Sequence, residues 1–201
     1  MLITIAAITA ASSPILSEML QFDRERIAGG ELWRVATAHI SHWNLEHLQW
    51  DLLMFVVLGA ICELRNPRHM RACVVLSAAS VSALVYLAFP ALTFYRGLSG
   101  IDTALFTWLA CSLLGDARRT ENKPLFGAIA SLLTALALKT AFEAFTGHAI
   151  FVDQNRAGFE LLVWDHIVAA VVGACVVFGA GVSKYGEWPS SEHASPGRVA
   201  P

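Results

Sequence analysis

Charge is what this chain has least of: Asp, Glu, Lys and Arg together make up 15% of its 201 residues. A soluble domain of this length carries nearly twice that share. The deficit argues against a surface solvated on all sides. The net charge of −2, with no basic block and no aromatic–basic interleaving, gives a nucleic-acid partner no footing. Closely spaced cysteines are missing as well. Cys62, Cys73, Cys111 and Cys175 stand far apart, without the short spacings of zinc sites or disulfide frameworks, and read as small residues packing between helices. The sequence shows no internal repeat and no second domain, and it implies no metal or cofactor.

Hydrophobicity is plentiful, at 56% of residues and a mean hydropathy of +0.55, and it comes in runs, not in alternation. A bilayer core about 30 Å thick takes roughly 20 apolar residues per helix. Six such stretches fall at 2–20, 43–62, 72–94, 98–114, 125–145 and 159–182. The expected fold is all-α, a polytopic bundle of six transmembrane helices over 1–182 with a polar, disordered tail at 183–201. Ser12, Ser13 and Pro14 make the first stretch the weakest, and with no Lys or Arg ahead of its apolar core it is a poor signal peptide. Arg65, Arg68, Arg71, Arg118, Arg119, Lys123, Lys184 and Arg198 fall on one side of such a bundle. They outnumber Arg24, Arg26, Arg34, Arg96 and Arg156 on the other. The positive-inside rule then places both termini, and the tail, in the cytoplasm of a multi-pass cell-membrane protein. The segment 21–41, with Gly29, Gly30, Trp33, Arg34 and His39, is expected to lie in the membrane interface.

Ionisable groups inside a bilayer are costly and mark function by default. The second stretch carries His47 and Asp51, spaced i,i+4 on one helical face. The fourth opens with Gly97-Leu98-Ser99-Gly100, then Asp102 and Thr103. The sixth carries Asp165 and His166 near its start. All three stretches enter from the same side, so these groups are expected at one depth. A serine hydroxyl needs an adjacent base, and the pKa of histidine suits the task. Ser99 and His166 supply that pair if their helices touch. Gly97 and Gly100 allow close approach, and the backbone N–H groups at the start of the Ser99 helix are placed for an oxyanion, with His47 as a further donor. Lys139 and Glu143, also i,i+4, are expected to neutralise each other, and Glu63 to pair with Arg65 or Arg68.

The run from Trp33-Arg34 through His39, His42, His47 and Asp51 to Gly59 and Glu63 resembles the rhomboid protease pattern of a Trp-Arg pair, a histidine cluster and a helix ending in Gly-x-x-x-Glu. Tyr95-Arg96-Gly97-Leu98-Ser99-Gly100 resembles the serine motif of that family, and Asp165-His166 with Gly173 its last helix. Leu138-Lys139-Thr140-Ala141-Phe142-Glu143 is similar to the rhombosortase branch. The resemblance covers about 33–177. It implies Ser99 as nucleophile and His166 as general base, a dyad without an obligatory acid, with His47 helping to bind the oxyanion. The implied reaction is hydrolysis of a peptide bond in or beside the transmembrane segment of a membrane-anchored protein. Rhombosortase-like members are associated with substrates bearing a short C-terminal Gly-Gly sorting segment.

Three positions depart from the pattern. Asp51 stands where Asn is usual, so a donor role requires a neutral carboxyl. Thr103 replaces an aromatic residue that packs on the catalytic imidazole, and Ala169 replaces a Gly, which widens the contact between the Ser99 and His166 helices. Of the extra acids, Asp102 is favoured over Asp165 to orient His166. The alternatives are a catalytically silent rhomboid-like protein that binds transmembrane helices, which Asp51 favours, and a small transporter relaying protons through His47, Asp51 and Asp165.

Overall fold

The computed structural model describes residues 2–150 and 162–179, and most of these lie in helices. The tail at 183–201, Arg156 and the outer ends of the sixth stretch lie outside the described residues. The first stretch divides in two. The first helix, α1 (Leu2–Ala11), stops before Ser12, and α2 (Pro14–Leu20) starts afresh. Ser13 caps α2 by accepting from the Leu16 N–H at 3.5 Å, and Pro14 sits in the first turn, where its missing N–H costs nothing. The expected single helix is thus corrected by its own capping residues.

The segment 21–41 is a folded unit. It holds β1 (Phe22–Asp23), α3 (Arg24–Ala28), α4 (Arg34–Thr37) and a 3-10 turn at Ala38–Ile40. Five long helices follow: α5 (Leu45–Arg65), α6 (Pro67–Ala88), α7 (Ser99–Arg119), α8 (Lys123–Thr146) and α9 (Val163–Gly179), with β2 (Phe94–Tyr95) between α6 and α7. Asn44, Asn66 and Asn122 cap α5, α6 and α8 through their side chains, so α6 begins five residues before its expected apolar run at 72. Gly147, at φ 69°, closes α8 in the left-handed conformation.

By length and composition α5, α6 and α8 are able to cross a membrane, while α1 and α9 are shorter apolar helices. Although α7 has 21 residues, it does not reach the same hydropathy. The packing explains this: α5, α6, α8 and α9 all lie against α7, so protein and not lipid surrounds it. Ala104, Leu105 and Trp108 of α7 are wholly buried. The tightest contact is with α9, where a Cβ added at Gly173 would lie 2.3 Å from the Ala104 carbonyl oxygen. Ala169 is itself wholly buried. Gly173 therefore sets how closely α7 and α9 approach at this point.

Arginines fasten the 21–41 unit to the bundle. Arg24 donates to the carbonyls of Val85 (2.6 Å), Tyr86 (2.8 Å), Phe89 (2.8 Å) and Leu92 (3.2 Å), satisfying acceptors that the C-terminal end of α6 leaves open. Arg34, only 3% exposed, donates to Glu31 and to the Glu18 and Gln21 carbonyls. Strand β1 pairs with β2, Phe22 opposite Tyr95. At the far end of the bundle Arg65 reaches Ser112 at 2.6 Å and pairs with Asp116, which Arg119 also meets. Arg65 is thus committed across the bundle to α7, and Glu63, expected to pair with it or Arg68, is exposed.

Candidate functional site

The N-terminal ends of α5, α7 and α9 converge on one cavity of about 670 Å³. His47 and Asp51 line it from α5, Ser99, Asp102 and Thr103 from α7, and Asp165 and His166 from α9. Lys139 and Glu143 of α8 close the remaining side, and Trp50, Met54, Phe106 and Leu136 give the walls an apolar character. The residues singled out on three separate stretches therefore share one space.

The α5 side is fully tied. Asn44 caps α5 through the His47 N–H at 2.8 Å, which fixes where the His47 ring starts its turn. Asp51 Oδ2 accepts from the Leu98 backbone N–H at 2.8 Å, lies 3.1 Å from His42 Nε2 and 3.3 Å from His47 Nε2. The oxygen faces an obligate donor and two imidazoles able to donate, so the carboxyl serves as an acceptor. Gly97, at φ +127°, is held against this cluster, since an added Cβ would meet His47 Cε1 at 2.8 Å and Nε2 at 2.9 Å. Its N–H donates to the Ala38 carbonyl at 3.2 Å. His39, wholly enclosed behind it, lies 3.3 Å from the Gly97 carbonyl through Nδ1 and 3.1 Å from the Ala78 carbonyl through Nε2.

These bonds position Ser99 as the first residue of α7. Among the described residues the N–H groups of Ser99 and Gly100 have no backbone or side-chain acceptor, so both are available to an anion at the helix start. Gly100 keeps the helix close to α6, where an added Cβ would meet Val81 at 3.1 Å. Thr103, in the place expected of an aromatic residue, donates to the Ser99 carbonyl at 2.8 Å.

The α8–α9 side is looser. The ring of His166 lies 3.8 Å from Glu143 through Nδ1 and 3.7 Å from Asp165 Oδ1 through Nε2, both beyond hydrogen-bond length. Among the described residues no hydrogen bond joins Ser99 to His166, although both face the same cavity. Asp165 is occupied: Oδ1 accepts from the His166 N–H at 2.6 Å and Oδ2 from the Tyr95 hydroxyl at 2.9 Å. Burial, with Asp165 beside it, pushes the Tyr95 phenol well above its ordinary range, so it remains a donor there; its hydroxyl also faces Ser99. The acids beside the His166 ring are Glu143 and Asp165, not the favoured Asp102. Asp102 faces Asp51 across the cavity, and its Oδ1 is buried without a partner among the described residues.

Lys139 and Glu143 pair as expected, at 2.6 Å. Sequence reasoning missed three members of the site. His42 approaches Asp51 from the loop before α5, Tyr95 arrives through the β1–β2 pairing, and Glu143 turns inward to His166 as well as to Lys139. Each had a trace in the sequence, His42 in the histidine cluster, Tyr95 at the head of the serine motif and Glu143 beside Lys139 in an apolar run, but none showed its partner in the site. Among the described residues no group of three or more His, Cys, Asp or Glu is placed to hold a metal ion.

A family model described as a Rhomboid domain matches residues 29–182, well over half of the chain. Comparison with curated proteins returns no match.

Proposed function

The chain belongs to the rhomboid family, and from that premise we propose that it is a serine endopeptidase working within the membrane, with Ser99 as nucleophile and His166 as general base. Ser99 Oγ attacks the substrate carbonyl while its proton passes to His166 Nε2. The N–H groups of Ser99 and Gly100, with the His47 ring beside them, receive the oxyanion. The proton then moves from His166 to the departing amine nitrogen as the peptide bond breaks, and water releases the acyl group by the same steps in reverse. The Ser99–His166 hydrogen bond would form in the substrate complex, since catalytic hydrogen bonds are often long in apo sites and tighten only there.

The observation that carries this reading is that an unpaired helix start bearing a serine and a buried histidine from another helix line one cavity. A six-passage bundle is part of the proposal, with 2–20 as an interrupted first passage and α5 to α9 as the rest. Both termini then lie in the cytoplasm and the cavity opens toward the outer face, because the Arg-rich end around Arg65, Arg118 and Arg119 is opposite the site. The substrates would be membrane-anchored proteins with a single transmembrane segment, and the rhombosortase-like motif at 138–143 favours a C-terminal sorting segment. A fluorophosphonate probe tests the core of this reading. It should label the purified protein at Ser99 and fail on Ser99→Ala and His166→Ala; an unlabelled wild type would sink it. One observation favours a silent helix-binding protein instead: among the described residues no hydrogen bond joins Ser99 to His166, whose ring has two acids within 4 Å.

A further inference from the structure

Of the 24 residues of α8, only Ile129 and Glu143 are buried. An acid at 2% exposure on a helix otherwise turned to lipid needs a reason. Lys139 provides part of it, and Glu143 Oε1 also accepts from the Ile150 N–H at 3.2 Å. The remaining neighbour is His166, whose Nδ1 lies 3.8 Å from the same Oε2 that meets Lys139. That ring nitrogen is buried and has no hydrogen-bond partner among the described residues. An i,i+4 ion pair made for stability alone would sit as well on any wet face of α8. This one points at the ring nitrogen of His166 that is buried without a partner among the described residues.

We propose that Glu143 is the positioning acid of His166, so that the Ser–His pair works as a Ser99–His166–Glu143 relay whose acid comes from α8. The inference rests on the protease reading above and deepens it. A proton on Nδ1 directed at Glu143 leaves the Nε2 lone pair for the Ser99 proton. When that proton arrives, the carboxylate stabilises the imidazolium without itself being protonated. The charge is released when Nε2 passes the proton to the leaving amine. Lys139 supplies the counter-charge between turnovers. Asp165 competes for the same ring, but each of its oxygens already accepts a hydrogen bond, from the His166 N–H and from Tyr95. Asp102 from α7, His47 and Asp51 from α5, and Tyr95 and Arg96 ahead of α7 are the other titratable or charged groups lining the cavity, and none is in an ion pair with the ring.

The test is the second-order rate of fluorophosphonate labelling at Ser99 as a function of pH, on the full chain in detergent, with thermal unfolding followed in parallel. Glu143→Gln should slow labelling by roughly 10²-fold, the lower end of what acid–base assistance contributes. It should also move the acid limb of the profile to lower pH, because an imidazolium without a nearby carboxylate loses its proton more readily. Lys139→Met should move that limb the other way, and it carries the test if Glu143→Gln does not fold. A purely structural role would shift the melting temperature and leave the limb in place. Wild-type labelling with an unmoved limb in the folded variants overturns the role of Glu143 and leaves Ser99 chemistry standing. A wild type without labelling at Ser99 overturns both.

Discussion

The cavity has two walls of different build. On the α5 side Asp51 draws together Leu98, His42 and His47 at 2.8–3.3 Å. On the α8–α9 side the imidazole stands 3.7–3.8 Å from its acids. The first wall is organised before substrate arrives, as an oxyanion site should be, since its value depends on dipoles that need not reorient. The second has room to adjust. Its looseness is not shared equally: α9 is locked to α7 at Gly173, whereas α8 buries two side chains. Movement in the site is therefore a property of α8 and of the His166 ring.

The most severe way to break this contrast is Gly173→Ala. The new methyl would lie 2.3 Å from a backbone oxygen of α7, which no rotamer can relieve, so the two helices must part. The expected loss is about 3 kcal/mol, at the top of the usual overpacking range. Thermal unfolding with a thiol-reactive dye reads it once Cys175, exposed, and Cys111, half-buried, are replaced by Ser, since Cys62 and Cys73 are buried until the bundle opens. Gly97→Ala should come next. Its obstacle is the His47 ring, which can yield, but the φ of +127° cannot be adopted cheaply, and about 1–3 kcal/mol of strain follows. Here labelling of Ser99 should fall more than stability does, because the displaced His47 belongs to the anion site. Asp51→Asn is milder. An amide oxygen still accepts from the Leu98 N–H while the charge is lost, so stability should drop by about 1 kcal/mol. If Asp51→Asn instead raised both labelling and stability, an amide oxygen would suffice as the acceptor and the carboxylate charge would contribute nothing to this wall.

The convergence of the site was legible because apolar stretches fix where helices run and the misplaced polar residues mark which ends meet. His47, Asp51, Ser99 and His166 were found in this way, and they share the cavity. The split at Ser12–Pro14 and the early start of α6 at Pro67 were also written in the sequence, in capping side chains that an apolar-run reading overlooks. What was not legible depends on distant partners. The link from Tyr95 to Asp165 spans 70 residues and requires β1 to pair with β2. The choice between Asp102 and Glu143 as the neighbour of His166 depends on which way α7 and α8 turn about their axes, and no local pattern sets that rotation. The substitution of Asp for Asn at 51 was read against an oxyanion alone, whereas the structure surrounds it with donors from two loops.

The smallest effect concerns the backing of the firm wall. His39 lies behind Gly97 at 2% exposure. Burial holds its pKa below the ordinary histidine range, against the opposing pull of the Ala78 and Gly97 carbonyls and the charge of Asp165. The unfolded chain, with an ordinary value of about 6.5, then takes up a proton at this residue more readily than the folded one. Its contribution is complete above that pH and declines as pH falls from about 6.5 toward the lower folded value. The melting temperature of the wild type should therefore drop between pH 7 and pH 5 more steeply than that of His39→Gln, even though the variant is less stable at pH 8. Parallel slopes would mean that the neutral ring is not what secures the Gly97 carbonyl. The pre-formed character of the α5 wall would then have to come from Asp51 alone.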